Sequence, residues 1–424
     1  MGKHHRFAGT RHFAIAAACA LAFAGIGQTP ALAQHHHGHG AQKSGAKAAP
    51  KCTETTLACA STATPAFGPD GALWLTYAAA GHILVARSAD GGATFEDPIQ
   101  ITSAPLQLDW GPDSRPKIAI GHDGAITIAF ATFKDKAFNG QVFVSHSAVG
   151  QPFTPPRPIT TDPESQRFET VTLDPDGHVF AAWIDKRNRH AARAAGRKYA
   201  GAALAYTWLT GPNKGKDASE TFVAKDNTCE CCRLGVAFAG PGRPAVLFRN
   251  IFEGSVRDHA VITFDDARTP GTLQRVSDDA WTTEACPHHG PSLSIAPTGS
   301  YHVTWFTNGA KRQGLFYARA DNARAAFAEP MPIGDANRQA SRPAVIATRD
   351  AAYIVWKEFD GDKTSLRSMR SADDGRSWSA PVTVATTDGD GDHPLLIENG
   401  GRVFISWLSK GREGYRLIEL GKGA

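Results

Sequence analysis

Two short motifs carry the most reactive side chains of this chain: Cys229-Glu-Cys-Cys-Arg233 and Cys286-Pro-His-His-Gly290. Thiolate sulfur and neutral imidazole are donors that suit Cu(I) and Zn(II). Cys229, Cys231, Cys232, Cys286, His288 and His289 are therefore a candidate set of metal ligands, with copper or zinc as the cofactor. The same cysteines could instead form disulfides. Residues one or two apart rarely bridge each other, which leaves Cys229 or Cys232 with Cys286. A redox-active or otherwise reactive thiol is the third reading. The paired C-x-x-C spacing of structural zinc sites is absent. The tract Gln34-His-His-His-Gly-His-Gly40 offers further imidazoles, either for a divalent metal or as a polar linker.

These motifs must be placed by the elements around them, and the elements recur. An extended apolar run, a turn and a run ending in an aromatic follow one another along the chain. The turns include Pro69-Asp70-Gly71, His122-Asp123-Gly124, Pro175-Asp176-Gly177, Pro297-Thr298-Gly299 and Asn399-Gly400-Gly401. They return roughly every 50 to 65 residues, the upper range of propeller blades. Asp-Gly and Pro-Gly pairs suit hairpins because glycine accepts positive φ. The run after each turn is apolar, as in Val179-Phe-Ala-Ala-Trp183 and Tyr353-Ile-Val-Trp356. No segment reads as a long amphipathic helix.

The period predicts an all-β chain, a β-propeller of four-stranded antiparallel blades. Seven blades are expected, with six as the alternative. The last unit, His393 to Leu420, has only three strand-like runs, and Glu54 to Ser61 is expected to supply its fourth and close the ring. In an antiparallel blade the start of the first strand and the end of the second share a face. That face collects Arg115, Arg167 to Glu169, Cys231 to Arg233, Cys286 to His289, Arg342, Asp392 and His393. It also collects Asp185, Arg249 and Glu358. Arg115, Arg249, Arg342 and His393 are therefore candidate ligand-binding residues.

One turn occurs twice: Ser88-Ala-Asp-Gly-Gly-Ala-Thr-Phe95 and Ser371-Ala-Asp-Asp-Gly-Arg-Ser-Trp378. On this frame it resembles the Asp-box repeats of the sialidase-like β-propellers over about residues 60 to 420. The resemblance implies that Asp90 and Asp373 are structural turn residues. It also implies, for a glycoside hydrolase of exo-α-sialidase type, three arginines on a substrate carboxylate, an aspartate acid/base and a tyrosine nucleophile activated by glutamate. Arg115, Arg249 and Arg342 are the matching arginines, Asp185 or Asp113 the acid, and Glu358 with Tyr415 the pair. The family's early aromatic-Arg-Ile-Pro motif is absent, and Ser114-Arg-Pro116 is a weak echo of it. The two cysteine motifs have no counterpart there. A propeller that binds a small molecule, glycan or metal without sialidase catalysis is thus the first reading. An exo-glycosidase with an altered site is the second, and a disulfide-fixed interaction scaffold the third.

Residues 1 to 12 are basic, Phe13 to Ile26 are apolar, and Ala31-Leu-Ala33 fits a cleavage site. The expected organisation is a signal peptide (1–33), a His-rich leader (34–51) and one propeller domain (52–424). The expected destination is the periplasm or beyond, where Cys52 and Cys59 would form a disulfide. A net charge of +4 implies no nucleic-acid partner, no later run is long enough to cross a membrane, and a monomer is expected.

Overall fold

Seven antiparallel sheets form a ring in the computed structural model, which describes residues 52–285, 287–410 and 413–421. The signal peptide, the His-rich leader and Cys286 lie outside the described residues. Blade 1 is built from Ala63–Phe67, Leu73–Ala79, His82–Ser88 and Ile99–Gln100. Blade 2 has Lys117–Ile120, Ile126–Phe133, Gly140–Ser147 and Arg157–Pro158, with Leu108–Asp109 as an extra short strand. Blade 3 has Gln166–Leu173, Val179–Asp185, Ala202–Trp208 and Phe222–Thr228. Blade 4 has Gly235–Phe238, Pro244–Arg249, His259–Phe264 and Pro270–Arg275. Blade 5 has Ser292–Ile295, Tyr301–Asn308, Gln313–Ala320 and Met331–Ile333, and blade 6 has Ser341–Ala347, Ala352–Phe359, Thr364–Ser371 and Val382–Thr387. Blade 7 has Leu395–Asn399, Arg402–Leu408 and Tyr415–Leu420. Six blades is thus excluded. No helix among the described residues is long and apolar enough to cross a membrane.

The second and third strands are largely apolar because the blades cover both of their faces, while the fourth strands are more exposed. Successive side chains alternate between faces. Along Val179–Asp185, Val179, Ala181 and Trp183 pack towards blade 2, while Phe180, Ala182 and Ile184 pack towards blade 4. One apolar cluster fills each of the gaps between neighbouring blades, including the gap between blades 7 and 1.

One expectation is corrected at the closure. Residues 54 to 61 do not form a strand of blade 7; they contain a short 3-10 turn, Leu57–Cys59. Leu57 and Cys59 pack instead into the cluster shared by Leu73, Leu75, Leu408 and Leu417. Cys52 and Cys59 are joined in a disulfide with 5.5 Å between Cα atoms, as expected. A turn closed by a bond between residues seven apart cannot stay extended, so side-chain packing replaces strand pairing here.

The hairpin turns repeat in hydrogen bonding as well as in sequence. In blade 1, Gly68 N–H donates to Ala72 O and Gly71 N–H to Gly68 O. Blade 2 repeats this with Gly121, Ala125 and Gly124, blade 3 with Asp174, His178 and Gly177, and blade 5 with Ala296, Ser300 and Gly299. Gly71 sits at φ 76° and Gly177 at φ 83°, a region that side chains with a Cβ resist.

Candidate functional site

First strands line the centre of the ring, and their starts bring polar groups from five blades together. Asp113 is the hub. Its Oδ2 accepts from the Arg342 guanidinium of blade 6 at 3.0 Å, and its Oδ1 lies 3.5 Å from Arg233 of blade 4. Arg233 also donates to His393 Nδ1 of blade 7 at 3.0 Å and to Pro343 O of blade 6 at 3.3 Å. Arg342 donates further to His288 O of blade 5. Gly290 is required beside this cluster: a Cβ there would fall 2.8 Å from Arg233 O and 2.9 Å from Arg233 N.

Two of the first strands are bent to present these groups. The pairing of Gln166–Leu173 with its neighbour shifts between Arg167 and Thr170, and that of Ser341–Ala347 shifts between Ser341 and Ala344. Bulges re-aim side chains and occur next to active sites. Phe168 stands at φ 55°, His288 at φ 50° and Arg342 at φ 58°. Such conformations cost about 1–3 kcal/mol each for non-glycine residues. All three stand at the channel: Arg342 bonds His288 O, and the Phe168 and His288 rings are 6.3 Å apart.

Burial sets the protonation states. His393 and His289 are held well below the usual histidine range by desolvation and by nearby arginines, and His288 is lowered by desolvation. Neutral His393 accepts from Arg233 on Nδ1, so its proton is on Nε2. Glu169, next to strained Phe168, is buried, and neither carboxyl oxygen has a hydrogen-bond partner among the described residues. Desolvation pushes its pKa up to about 7, against the pull of the Lys117 ammonium. Lys117 is lowered to about 8 by desolvation and donates to Arg115 O at 2.7 Å.

The expected arginine trio is not a trio. Arg342 faces the channel. Arg115 is buried and bidentate on Asp392 at 2.8 and 2.5 Å, with Ala63 O at 3.3 Å. Arg249 is buried on the carbonyls of Arg257, His289 and Phe306, with its guanidinium 4.4 Å over the Trp281 ring. These two arginines hold blades together. The arginine that shares Asp113 with Arg342 is Arg233, while Arg167 pairs with Asp109 at 2.5 Å and lies over the Phe168 ring. Both stand in the first-strand starts read from the sequence, but a linear motif does not say which guanidinium meets which blade.

The candidate catalytic residues have other partners. Asp185 accepts from the Trp183 indole at 2.8 Å and from the backbone and guanidinium of Arg187 at 2.8 and 2.7 Å. Glu358 accepts from the Trp356 indole at 2.8 Å and from Asp335 N–H at 3.2 Å. Tyr415 meets Ser406 Oγ at 3.0 Å and packs edge-on against Phe95, and burial raises its pKa strongly. The Glu358–Tyr415 pair is therefore not assembled.

The repeated turns behave as structural devices. Asp90 accepts from Thr94 N–H at 2.9 Å, Thr94 Oγ1 at 2.6 Å and Ser88 Oγ at 2.8 Å. Asp373 makes the same three bonds with Ser377 and Ser371, and in both turns these bonds lower the carboxyl pKa, to about 2 for Asp90.

Cys229, Cys231 and Cys232 form a separate group in the connector between blades 3 and 4. Their sulfurs all lie within 4.8 Å of one another, and all three residues are buried. Cys229 Sγ is 3.5 Å from Cys231 Sγ and accepts from Arg257 at 3.4 Å. Hydrogen bonds from the neighbouring thiols, and the charges of Arg249 and Arg257, hold Cys229 well below the usual thiol range. Cys232, beside that thiolate, is raised to about 12. A second acidic group, Asp174, Asp176 and His178, is a turn: Asp174 Oδ1 accepts from the backbone N–H of Asp176 and His178 at 3.0 and 2.8 Å.

No protein-family model matches this chain, and no curated protein does. Solved structures do. An ulvan lyase of polysaccharide lyase family PL25 superposes with a TM-score of 0.51 at 11% identity, over 85% of this chain and 95% of that one. The polysaccharide lyase Uly1 superposes with a TM-score of 0.51 at 10% identity, over 82% and 88%. A mutant Trypanosoma rangeli sialidase gives a TM-score of 0.40 at 13% identity, over 72% and 52%. At these identities the likeness is one of fold alone, a β-propeller.

Proposed function

We propose that this protein is an exported propeller that binds an anionic carbohydrate at the channel mouth, without sialidase-type cleavage. Arg233 and Arg342 share a single carboxylate, Asp113, and their side chains keep a small exposure of 17% and 11%. That shared pair is the observation on which the reading rests. The first-strand starts and their direct partners carry the cations Arg115, Lys117, Arg167, Arg233 and Arg342. Against them stand Asp109, Asp113, Asp392 and Glu169, and burial favours the neutral form of Glu169. A focused positive field in a cleft draws an anion, and a guanidinium binds a carboxylate or sulfate through two parallel bonds. One ulvan lyase of this fold, with a TM-score of 0.50, was solved bound to -[GlcA(1-4)Rha3S]-, an acidic saccharide. The Cys52–Cys59 disulfide suits an oxidising compartment, in keeping with cleavage after Ala33 and a His-rich leader before one propeller domain.

Calorimetric titration with a uronate- or sulfate-bearing oligosaccharide, beside its neutral counterpart, tests this. Only the acidic one should bind, with affinity falling as salt rises. Arg233→Met and Arg342→Met should each weaken binding roughly tenfold or more, the loss of a charge-assisted contact. Equal binding of the neutral sugar would refute the proposal.

Glu169 favours a second reading, an exo-acting glycoside hydrolase. A buried carboxyl that keeps a proton near neutral pH has the property of a general acid. Turnover of aryl glycosides, sialosides included, that disappears in Glu169→Gln would establish it. No turnover across a wide pH range would leave the binding reading.

A further inference from the structure

We propose that Cys229 and Cys232 hold one Cu(I) ion in the connector between blades 3 and 4, with the Cys231 sulfur beside it. This site adjoins the channel but uses other side chains than the proposed carbohydrate site, so either proposal can fail without the other. The three sulfurs lie within 4.8 Å of one another, close enough for one small ion to touch two or three of them. The connector runs between Phe222–Thr228 and Gly235–Phe238, and Cys229 N–H donates to Arg249 O at 2.9 Å, which anchors the first sulfur to blade 4.

The surroundings select the metal. The thiols pack in an apolar cluster with Phe168, Ile184, Leu204, Leu234 and Phe248. Calcium and magnesium want oxygen ligands, which this cluster does not supply. Zinc in a structural site wants four ligands in a tetrahedron, and the described residues bring three sulfurs together here. Cu(I) is soft, prefers thiolate, and is satisfied by two or three sulfurs. A centre of one Cu(I) and two thiolates carries one net negative charge. The Arg257 guanidinium, 3.4 Å from Cys229 Sγ, offsets it without supplying a competing ligand atom. A site this buried fills only when the connector opens, so loading is slow compared with an exposed thiol.

The test uses the full-length protein, reduced and kept without oxygen, and titrated with Cu(I) against the chromogenic chelator bicinchoninate. One equivalent should be withheld from the chelator. Cys229→Ser and Cys232→Ser should each lose affinity by more than the roughly 10–100-fold that an outer-shell change costs. A variant with His35, His36, His37 and His39 changed to alanine should keep that equivalent, which separates the site from the leader. Should a cysteine variant fail to fold, X-ray absorption of the copper-loaded natural protein decides. A sulfur-only shell supports the site, and nitrogen or oxygen ligands overturn it. The proposal also falls if no copper is withheld, if both variants bind as the natural protein does, or if peptide mapping finds Cys229 and Cys232 bonded to each other.

Discussion

Glu169 carries a carboxyl into a buried place where no other described residue donates to its oxygens, and its titration should therefore be visible in the stability of the whole chain. Its pKa is raised from 4.5 to about 7 in the folded state, first by desolvation. Between those two values the folded protein binds a proton that the unfolded chain has lost. Stability from this group is therefore present below pH 4.5 and declines as pH rises towards about 7. Glu169→Gln should remove that decline, measured as melting temperature against pH for the two proteins. An unchanged slope would mean that the carboxyl is solvated or paired. Lys117 works in the opposite sense. Its pKa is lowered from 10.5 to about 8, so it costs stability below about 8 and the cost is relieved as pH rises towards 10.5. His393 and His289 are neutral throughout the physiological range, so the channel's change of charge between pH 6 and 8 comes from Glu169 and Lys117 against a background of arginines that stay charged.

At the scale of one strand, the same device appears in blades 3 and 6. A tryptophan near the end of the second strand donates its indole N–H to a carboxylate two residues on: Trp183 to Asp185, Trp356 to Glu358. The carboxylate in turn takes the backbone N–H of Arg187 or Asp335, which fixes the loop that leaves the blade or approaches it. Trp183→Phe keeps most of the buried ring and removes the donor from a carboxylate with no exposure, so it should cost roughly 1–3 kcal/mol in urea unfolding. Ligand binding should be unaffected. Asp373→Ala should likewise lower the melting temperature and leave ligand binding intact, because its bonds close a turn between the third and fourth strands of blade 6. These elements were legible because they are local: the aromatic-ending strands, the Asp-Gly and Pro-Gly turns and the repeated Ser-x-Asp turn all act within a few residues. Asp185 reads as a candidate acid and Glu358 as the partner of a tyrosine because the sequence places both at the channel face. The neighbouring indole that occupies each is a rotamer choice, and spacing does not reveal it.

The ring closes through side chains rather than through a shared strand. Asp392 of blade 7 accepts both terminal nitrogens of Arg115 in blade 2 and the backbone N–H of Ala63 in blade 1. Both side chains are almost fully buried, at 3% and 1% exposure, so the pair links three blades across the closure. Breaking it with Asp392→Asn or Arg115→Met should cost about 3–5 kcal/mol, because one buried charge loses its partner. The double change Arg115→Met with Asp392→Leu should recover much of that in the same denaturant titration. Equal losses in the single and double variants would show that Arg115 packs rather than pairs.

By itself the sequence determined a propeller repeat of seven or six units, the strand pattern, the hairpin turns and the face expected to gather the reactive residues, because each follows from spacing along the chain. Which residues meet across that face was decided only by the tertiary structure. Asp113 and Arg342 are 229 positions apart, and Arg115 and Asp392 are 277 apart. Their pairing depends on how seven twisted sheets pack around one axis, on two bulges that turn Phe168 and Arg342 into strained conformations, and on which arginine is caught in a wall between blades. Those are properties of the closed ring, since each contact joins segments that only the completed fold brings within reach.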